Sequence, residues 1–142
     1  MKMCDSKFSQ CLYFTSNALA RKVEKLANES WKKIGLTASH AYLLKLVIEE
    51  PGMQAGQLSD QLQLTPSTIT RLLEKLEEKK LLSRSMTGKI TQVYPTNTGK
   101  ALYPQIKKCI EEFYQHYVRI LGKEESRQFV ENMALMADKL NN

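Results

Sequence analysis

The sequence has few of the residues from which enzymes usually build active sites and metal centres. Its two histidines, His40 and His116, lie far apart in the chain, and its three cysteines form no CxxC pair or zinc pattern. It contains no glycine-rich phosphate loop, no recognisable serine–histidine–aspartate set and no carboxylate-rich cluster. We therefore expect no catalytic residue, no metal and no cofactor.

Long apolar segments are also lacking. No run of about 18 apolar residues occurs, so the sequence predicts no membrane-spanning helix. The N-terminus, MKMCDSKFSQ, has no apolar signal core, and we expect a cytoplasmic protein. The 142 residues suit a single domain over 1–142, and the net charge of +6 favours an anionic partner, most often nucleic acid.

The most informative stretch is 58–82, LSDQLQLTPSTITRLLEKLEEKKLL, which holds a short and a longer helical pattern about one turn apart. Thr65 is a good N-cap, and Pro66 then occupies the first helical position. An apolar stripe follows at three- and four-residue steps: Ile69, Leu72, Leu73 and Leu76. Off this stripe lie small hydroxyls and two cations: Ser67, Thr68, Arg71 and Lys75. This layout is typical of a helix-turn-helix, whose second helix enters the DNA major groove N-terminus first; an ordinary antiparallel helix pair is the alternative interpretation.

The period changes over 81–96, where β-branched and aromatic residues predict a β-hairpin with strands at about 82–86 and 90–95 and a tip at 87–89. A helix-turn-helix followed by a hairpin is a winged helix, which we place at 36–96. Arg84 and Lys89 lie where such a wing contacts the DNA backbone or minor groove. Between residues 65 and 100, seven basic and three acidic residues give +4 of the chain's +6.

The segments outside the winged helix are amphipathic. The pattern predicts one helix over 6–32, one over 97–121 capped by Asn97 or Thr98, and a last helix after Gly122 that ends near 140. With three helices inside 36–96, the fold class is mainly α, with about six helices and a small hairpin. Since each outer helix has an apolar stripe that needs a cover, we expect 6–32 and 97–140 to interleave in a two-fold homodimer; an intramolecular bundle is the alternative.

The order of these elements, with LSDQLQLTPSTITRLLEKLEEKKLLSR before the hairpin and TNTGKAL after it, resembles the MarR family of bacterial transcription regulators. The resemblance implies an all-helical dimer with a winged helix in each subunit. It also implies binding to double-stranded DNA at pseudo-palindromic operators, usually as a repressor released by a small ligand or by oxidation.

The resemblance assigns a set of residues to DNA. Those facing the major groove are Ser67, Thr68, Thr70, Arg71 and Lys75, with Thr65 at the start of the helix. The wing departs from the family pattern, because its tip reads SRSMTGK without an Asp-x-Arg motif, and Pro95-Thr96 replaces Leu-Thr. Arg84 and Lys89 are the wing cations that remain.

Two further features bear on the signal that is sensed. The segment around Cys11 resembles the OhrR-like peroxide-sensing branch, which makes Cys11 a candidate redox sensor, although the two tyrosines of that branch fall near Lys25 and Ala38. His40 and Tyr42 are candidates for lining an effector pocket, while a solvated histidine is the simpler interpretation of His40. A winged helix used only for protein–protein contact is the alternative function.

Overall fold

The computed structural model describes residues 1–141, which form seven α-helices and three β-strands. The elements are α1 (Leu12–Trp31), α2 (Ala38–Glu49), β1 (Met53–Gln54), α3 (Ala55–Leu62), α4 (Pro66–Glu78), β2 (Leu82–Thr87), β3 (Ile90–Pro95), α5 (Asn97–Ala101), α6 (Tyr103–Leu121) and α7 (Lys123–Lys139). The mainly helical winged-helix prediction is confirmed. None of the helices in this part of the chain is long and apolar enough to span a membrane.

The core lies around α2, which is apolar on most of its circumference. Leu43, Leu44 and Val47 are completely buried, as is Trp31 at the end of α1. The apolar stripe of α4 packs against this centre, so the helix-turn-helix is anchored to the most buried helix of the chain.

The wing is an antiparallel sheet with the strand order β1-β3-β2. β2 and β3 pair from Leu82 with Pro95 to Thr87 with Ile90, close to the predicted hairpin. The sequence prediction missed β1, whose two residues pair with Gln92 and Val93 of β3. A two-residue strand carries no periodicity of its own, so only its distant partner defines it.

The first helix is shorter than predicted, since α1 begins at Leu12 and not near residue 6. Residues Met3–Asp5 form a 3₁₀ turn, and the Ser6 hydroxyl accepts a hydrogen bond from the backbone N–H of Phe8 at 3.1 Å. The N–H of Cys11 bonds to the carbonyl of Phe8 at 2.9 Å, three residues back rather than four. These local bonds compete with an α-helix, so Cys11 is the N-cap of α1, in an extended conformation.

The predicted single helix over 97–121 is two helices separated at Leu102. The N-cap of α5 is Thr96, not Asn97 or Thr98, and its hydroxyl accepts the N–H of Gly99 at 3.0 Å. Pro104 has no backbone N–H and so cannot continue the helical hydrogen bonds of α5. It lies in the first turn of α6, where a backbone N–H would have no partner within the helix, so its absence does not destabilise α6. The sequence prediction of one continuous helix over 97–121 is therefore wrong at Leu102.

The outer helices leave apolar side chains exposed. The exposed large apolar residues of α7 are Phe129, Val130, Met133, Leu135 and Met136. Near the N-terminus, Phe8, Leu12, Tyr13 and Phe14 are also exposed, and the Phe8 and Phe14 rings pack at 4.8 Å. A single subunit therefore leaves these apolar side chains uncovered.

Candidate nucleic-acid interface

The start of α4 is fixed by its own residues. Thr65 is the N-cap, as predicted, and its Oγ1 accepts the backbone N–H of Thr68 at 3.3 Å. Pro66 follows at the first helical position, and the stripe of Ile69, Leu72, Leu73 and Leu76 is buried. Because packing holds only one side of α4, its first turn and polar face remain open to solvent.

Hydroxyl groups form a small cluster on this first turn. Thr65 Oγ1 lies 2.9 Å from Thr68 Oγ1 and 3.3 Å from Ser67 Oγ. The Arg71 guanidinium reaches back one turn, and its Nη2 donates to Thr68 Oγ1 at 3.4 Å. The helix thus presents a cation and several hydroxyls at its N-terminal end, where the helix dipole also favours an anion.

Two other predicted residues of α4 are exposed but differ in what they offer. The Thr70 hydroxyl donates to the carbonyl of Pro66 at 3.0 Å, so its proton is used within the helix. Lys75 Nζ lies 3.9 Å from Glu78 Oε2, and both side chains are exposed, which makes a weak pair. The charge of Lys75 is therefore accessible to a phosphate.

Arg84 of β2 is tied to α4 rather than extended into solvent. Its Nη2 donates to Glu77 Oε1 at 2.9 Å, and only 26% of its side chain is exposed. The hydrogen bond from Arg84 lowers the pKa of Glu77, and the same bond raises the pKa of Arg84. As it stands, this cation joins the wing to the helix, so it reaches DNA only if it leaves Glu77.

The tip of the wing carries Lys89, which is exposed. The turn is made by Gly88, which adopts a φ of +64°, a left-handed conformation that glycine takes without strain. Within residues 1–141, no carboxylate pairs with Lys89. Lys89 is therefore the wing cation that an external phosphate can reach.

His40 and Tyr42, predicted to share a pocket, lie on different sides of α2. The Thr37 hydroxyl and His40 Nδ1 are 2.6 Å apart. The pKa of His40 is lowered mainly by partial burial and, to a smaller extent, by the positive charges of Lys79 and Lys75. Because Lys75 belongs to α4 and Lys79 follows it, His40 lies on the side of α2 that faces α4. Tyr42 instead packs against Trp31, with ring centroids 5.1 Å apart.

Tyr42 lines a cleft of about 370 Å³ between α2 and α6, and we call it the aromatic cleft. Its other lining residues are Ile110, Glu111, Phe113, Tyr114 and Tyr117, and His40 is not among them. Phe113 and Tyr117 lie in the segment 97–121, for which the sequence predicted an apolar stripe but no pocket. The clustering of aromatic residues at 113, 114 and 117, one turn of α6, is the signal that points to it.

The three cysteines lie in different environments. Cys4 is exposed, Cys11 is partly buried, and Cys109 is fully buried, where desolvation raises the pKa of its thiol. Among residues 1–141, no three histidine, cysteine or acidic side chains come together in a way that could hold a metal ion.

The chain is similar to known transcriptional regulators. The family model described as MarR family matches residues 34–89. The transcriptional repressor MdtR of Bacillus subtilis is 23% identical over 140 residues, covering 96% of this chain and 90% of MdtR. The uncharacterised regulator YybA of the same organism is 26% identical over 93 residues, and the match spans 63% of this chain and 62% of YybA.

Solved structures share the fold at lower identity. The repressor CouR, bound to p-coumaroyl-CoA, superposes with a TM-score of 0.82 at 19% identity, covering 94% of this chain and 96% of CouR. MepR of Staphylococcus aureus, in complex with DNA, gives 0.76 at 22% identity, covering 91% of this chain and 98% of MepR. The family-model match falls on the winged helix that carries the exposed face of α4, and over these residues the chain is similar to the MarR family of transcriptional regulators.

Proposed function

We propose that the protein is a sequence-specific, double-stranded DNA-binding transcriptional repressor that acts in the cytoplasm. The observation that carries this proposal is the polar cluster on the first turn of α4, which consists of Thr65, Ser67, Thr68 and Arg71. The opposite side of the helix is buried, so this cluster faces solvent. A surface of hydroxyls and a guanidinium is suited to base edges and phosphates in a major groove. MepR, which shares the fold, has been solved with DNA.

The residues of this face divide into two roles. Arg71 is the candidate for base recognition, because a guanidinium reads guanine through two parallel hydrogen bonds. Thr65, Ser67, Thr68 and Thr70 surround it, and Lys75 and Lys89 supply cations to the phosphates on either side. Arg84 serves first as the tie to Glu77, so its contribution to DNA is the least direct.

The active form is a homodimer on a pseudo-palindromic operator. The uncovered stripes near the N-terminus and on α7 support this arrangement, because apolar area of this kind is covered by a second copy in symmetric assemblies. Two copies of α4 related by a two-fold axis would contact two half-sites, so operator symmetry would mirror the symmetry of the protein.

A small molecule bound in the aromatic cleft releases the protein from DNA. The cleft lies between α2, which supports the winged helix, and α6, which is one of the outer helices, so a ligand there contacts both parts. Ligand-bound relatives of the same fold include CouR with p-coumaroyl-CoA and the PcaV regulator of Streptomyces coelicolor with its natural ligand.

Selection of bound duplexes from a random DNA library tests the proposal directly. We expect the selected sequence to be a palindrome. Binding should weaken steeply as the salt concentration rises, because the protein must displace counterions from the DNA phosphates. Equal affinity for the selected and a scrambled duplex would contradict sequence-specific binding. Absence of any duplex affinity at physiological salt would favour the alternative, a winged helix used for protein–protein contact.

Release by oxidation at Cys11 is a second proposal. Cys11 is partly exposed at the N-cap of α1, so a hydroperoxide can reach its sulfur. Hydroperoxide should then release DNA from the wild type but not from Cys11→Ser. Equal release from both proteins would exclude Cys11 as the sensor.

A further inference from the structure

The aromatic cleft is walled by a continuous series of aromatic rings. Trp31 packs against Phe113 at 5.8 Å and against Tyr42, and Phe113 packs against Tyr117 at 5.1 Å. Tyr114 then meets Tyr117 edge-on at 5.5 Å. Four of these five rings line the cleft, and the buried Trp31 ring lies behind them. A ligand in the cleft therefore meets aromatic surface from α2 and α6 together.

A single charged side chain lines this cleft, and it is acidic. Glu111 Oε1 accepts a hydrogen bond from the neutral amide of Gln115 at 2.8 Å, and no cation within residues 1–141 forms an ion pair with it. The next residue, Glu112, differs because it is paired with Lys33 and is not a lining residue. The charge that faces a ligand is thus one carboxylate without a counter-ion.

The tyrosines add no second charge at neutral pH. Burial raises the pKa of Tyr42 and also that of Tyr117, so both phenols keep their protons. The neighbouring cleft, which shares Tyr114 and Tyr117, is lined by two cations, Lys123 and Arg127, of which Arg127 is bound to Glu124 and Glu131. Neither cation lines the aromatic cleft, so its lining residues offer no positive counter-charge to an anion.

Taking the effector role of the cleft from the proposed function, we propose that its ligand is an organic cation with an aromatic or bulky apolar body. Aromatic faces attract cations through their quadrupoles, as in the cages that bind quaternary ammonium groups. Glu111 adds a direct charge interaction at the rim of the cleft. A carboxylate or phosphate ligand would lose its hydration beside Glu111 without gaining a partner.

Two isosteric ions test the sign of the charge. Tetraphenylphosphonium and tetraphenylborate have the same four phenyl groups around a positive or a negative centre, so the apolar contribution to binding is matched. We expect calorimetric titration of the DNA-free protein to give an affinity for the cation at least about tenfold higher than for the anion. The chain's net charge of +6 favours binding of the anion, so a preference for the cation must come from the site itself.

The single tryptophan provides a second readout. Trp31 contacts Tyr42 and Phe113, both of which line the cleft, so occupancy should change its emission in a saturable manner. The midpoint of this change should agree with the calorimetric affinity. A titration in which neither ion saturates, or in which tetraphenylborate binds as tightly as tetraphenylphosphonium, would overturn the proposal.

Adjacent glutamates supply a matched pair of variants. Glu111→Gln removes the lining charge and should weaken tetraphenylphosphonium binding by roughly fivefold or more, whereas Glu112→Gln removes an equal charge outside the cleft and should change it less than about twofold. Unchanged affinity in Glu111→Gln would contradict the role of the carboxylate. These titrations contain no DNA, so a failure of operator binding would leave their outcome, and this inference, independent.

Discussion

Gly99 shows how one residue without a side chain fixes the start of α5. A Cβ at this position would lie 2.0 Å from the carbonyl oxygen of Leu81, which is backbone and cannot move aside. The same carbonyl accepts the N–H of Thr96 at 3.1 Å, so the chain segments before and after the hairpin are held together here. The contact leaves no room for any other residue at Gly99.

We expect Gly99→Ala to lower the free energy of unfolding by about 1–3 kcal/mol, because the methyl group must displace backbone. Urea denaturation followed by circular dichroism measures this change. Gly56→Ala is the matched control, since Gly56 lies in α3 with no heavy atom within 4 Å of its added Cβ. It should be neutral or gain up to about 1 kcal/mol from helix propensity. Equal destabilisation in both variants would contradict the close contact.

Arg71 is the residue of α4 for which charge and shape can be separated. Arg71→Ala should weaken operator binding by roughly 1–3 kcal/mol and relax the base preference at one position of each half-site. Arg71→Lys keeps the charge but loses the planar fork, so it should retain the salt dependence and still lose the base preference. Library selection with each variant measures both effects. An unchanged selected sequence would remove Arg71 from the recognition surface.

The elements were predictable where the signal was local. Thr65, Pro66 and the stripe that follows define α4 in a dozen consecutive residues, and the structure has Thr65 as N-cap and Pro66 as the first helical residue, as predicted. The errors lie where non-local or competing bonds decide. β1 exists only because β3 pairs with it, and the apolar spacing of Phe8 suggested a helix that the Ser6 hydroxyl and a three-residue turn replace.

The candidate site divides in the same way. The polar face of α4 follows from helical periodicity, so its residues could be named from sequence. The pairing of Arg84 with Glu77 could not, because it joins two elements whose relative orientation is set by the core. The aromatic cleft also needed the structure, since Tyr42 and Tyr117 meet across α2 and α6, although they are 75 residues apart in the numbering of the chain.

The wing offers two cations in different states, and this difference is testable. Lys89→Ala should weaken binding to all duplexes by a similar factor and reduce the slope of log affinity against log salt by about 1, as expected for one lost phosphate contact. Arg84→Ala should change this slope less, because its guanidinium is already neutralised by Glu77. Gel shifts at several salt concentrations measure both slopes. A larger slope change in Arg84→Ala would mean that Arg84 leaves Glu77 for DNA.

At the scale of the whole molecule, the proposed dimer makes DNA binding depend on the outer helices. In the proposed dimer each α4 would contact one half-site, and affinity for a palindrome rises when two such contacts are linked at the correct spacing. The linkage would require the exposed apolar residues near the N-terminus and one stripe of α7, formed by Phe129, Met133 and Met136, to be buried between subunits. Any change that separates the subunits should therefore weaken DNA binding without touching α4.

Two neighbouring residues of α7 allow a controlled test of this dependence. Met136 belongs to the stripe with Phe129 and Met133, whereas Leu135 lies outside it, and both Leu135 and Met136 are 60% exposed in the single subunit. Met136→Glu would bury a carboxylate in the interface, so we expect sedimentation at micromolar concentration to shift from a dimer towards the 16.3 kDa monomer. Operator affinity should fall in parallel, while Leu135→Glu should retain both the dimer and the affinity. A wild-type protein that sediments as a compact monomer, or equal effects of the two substitutions, would contradict an interface on this stripe.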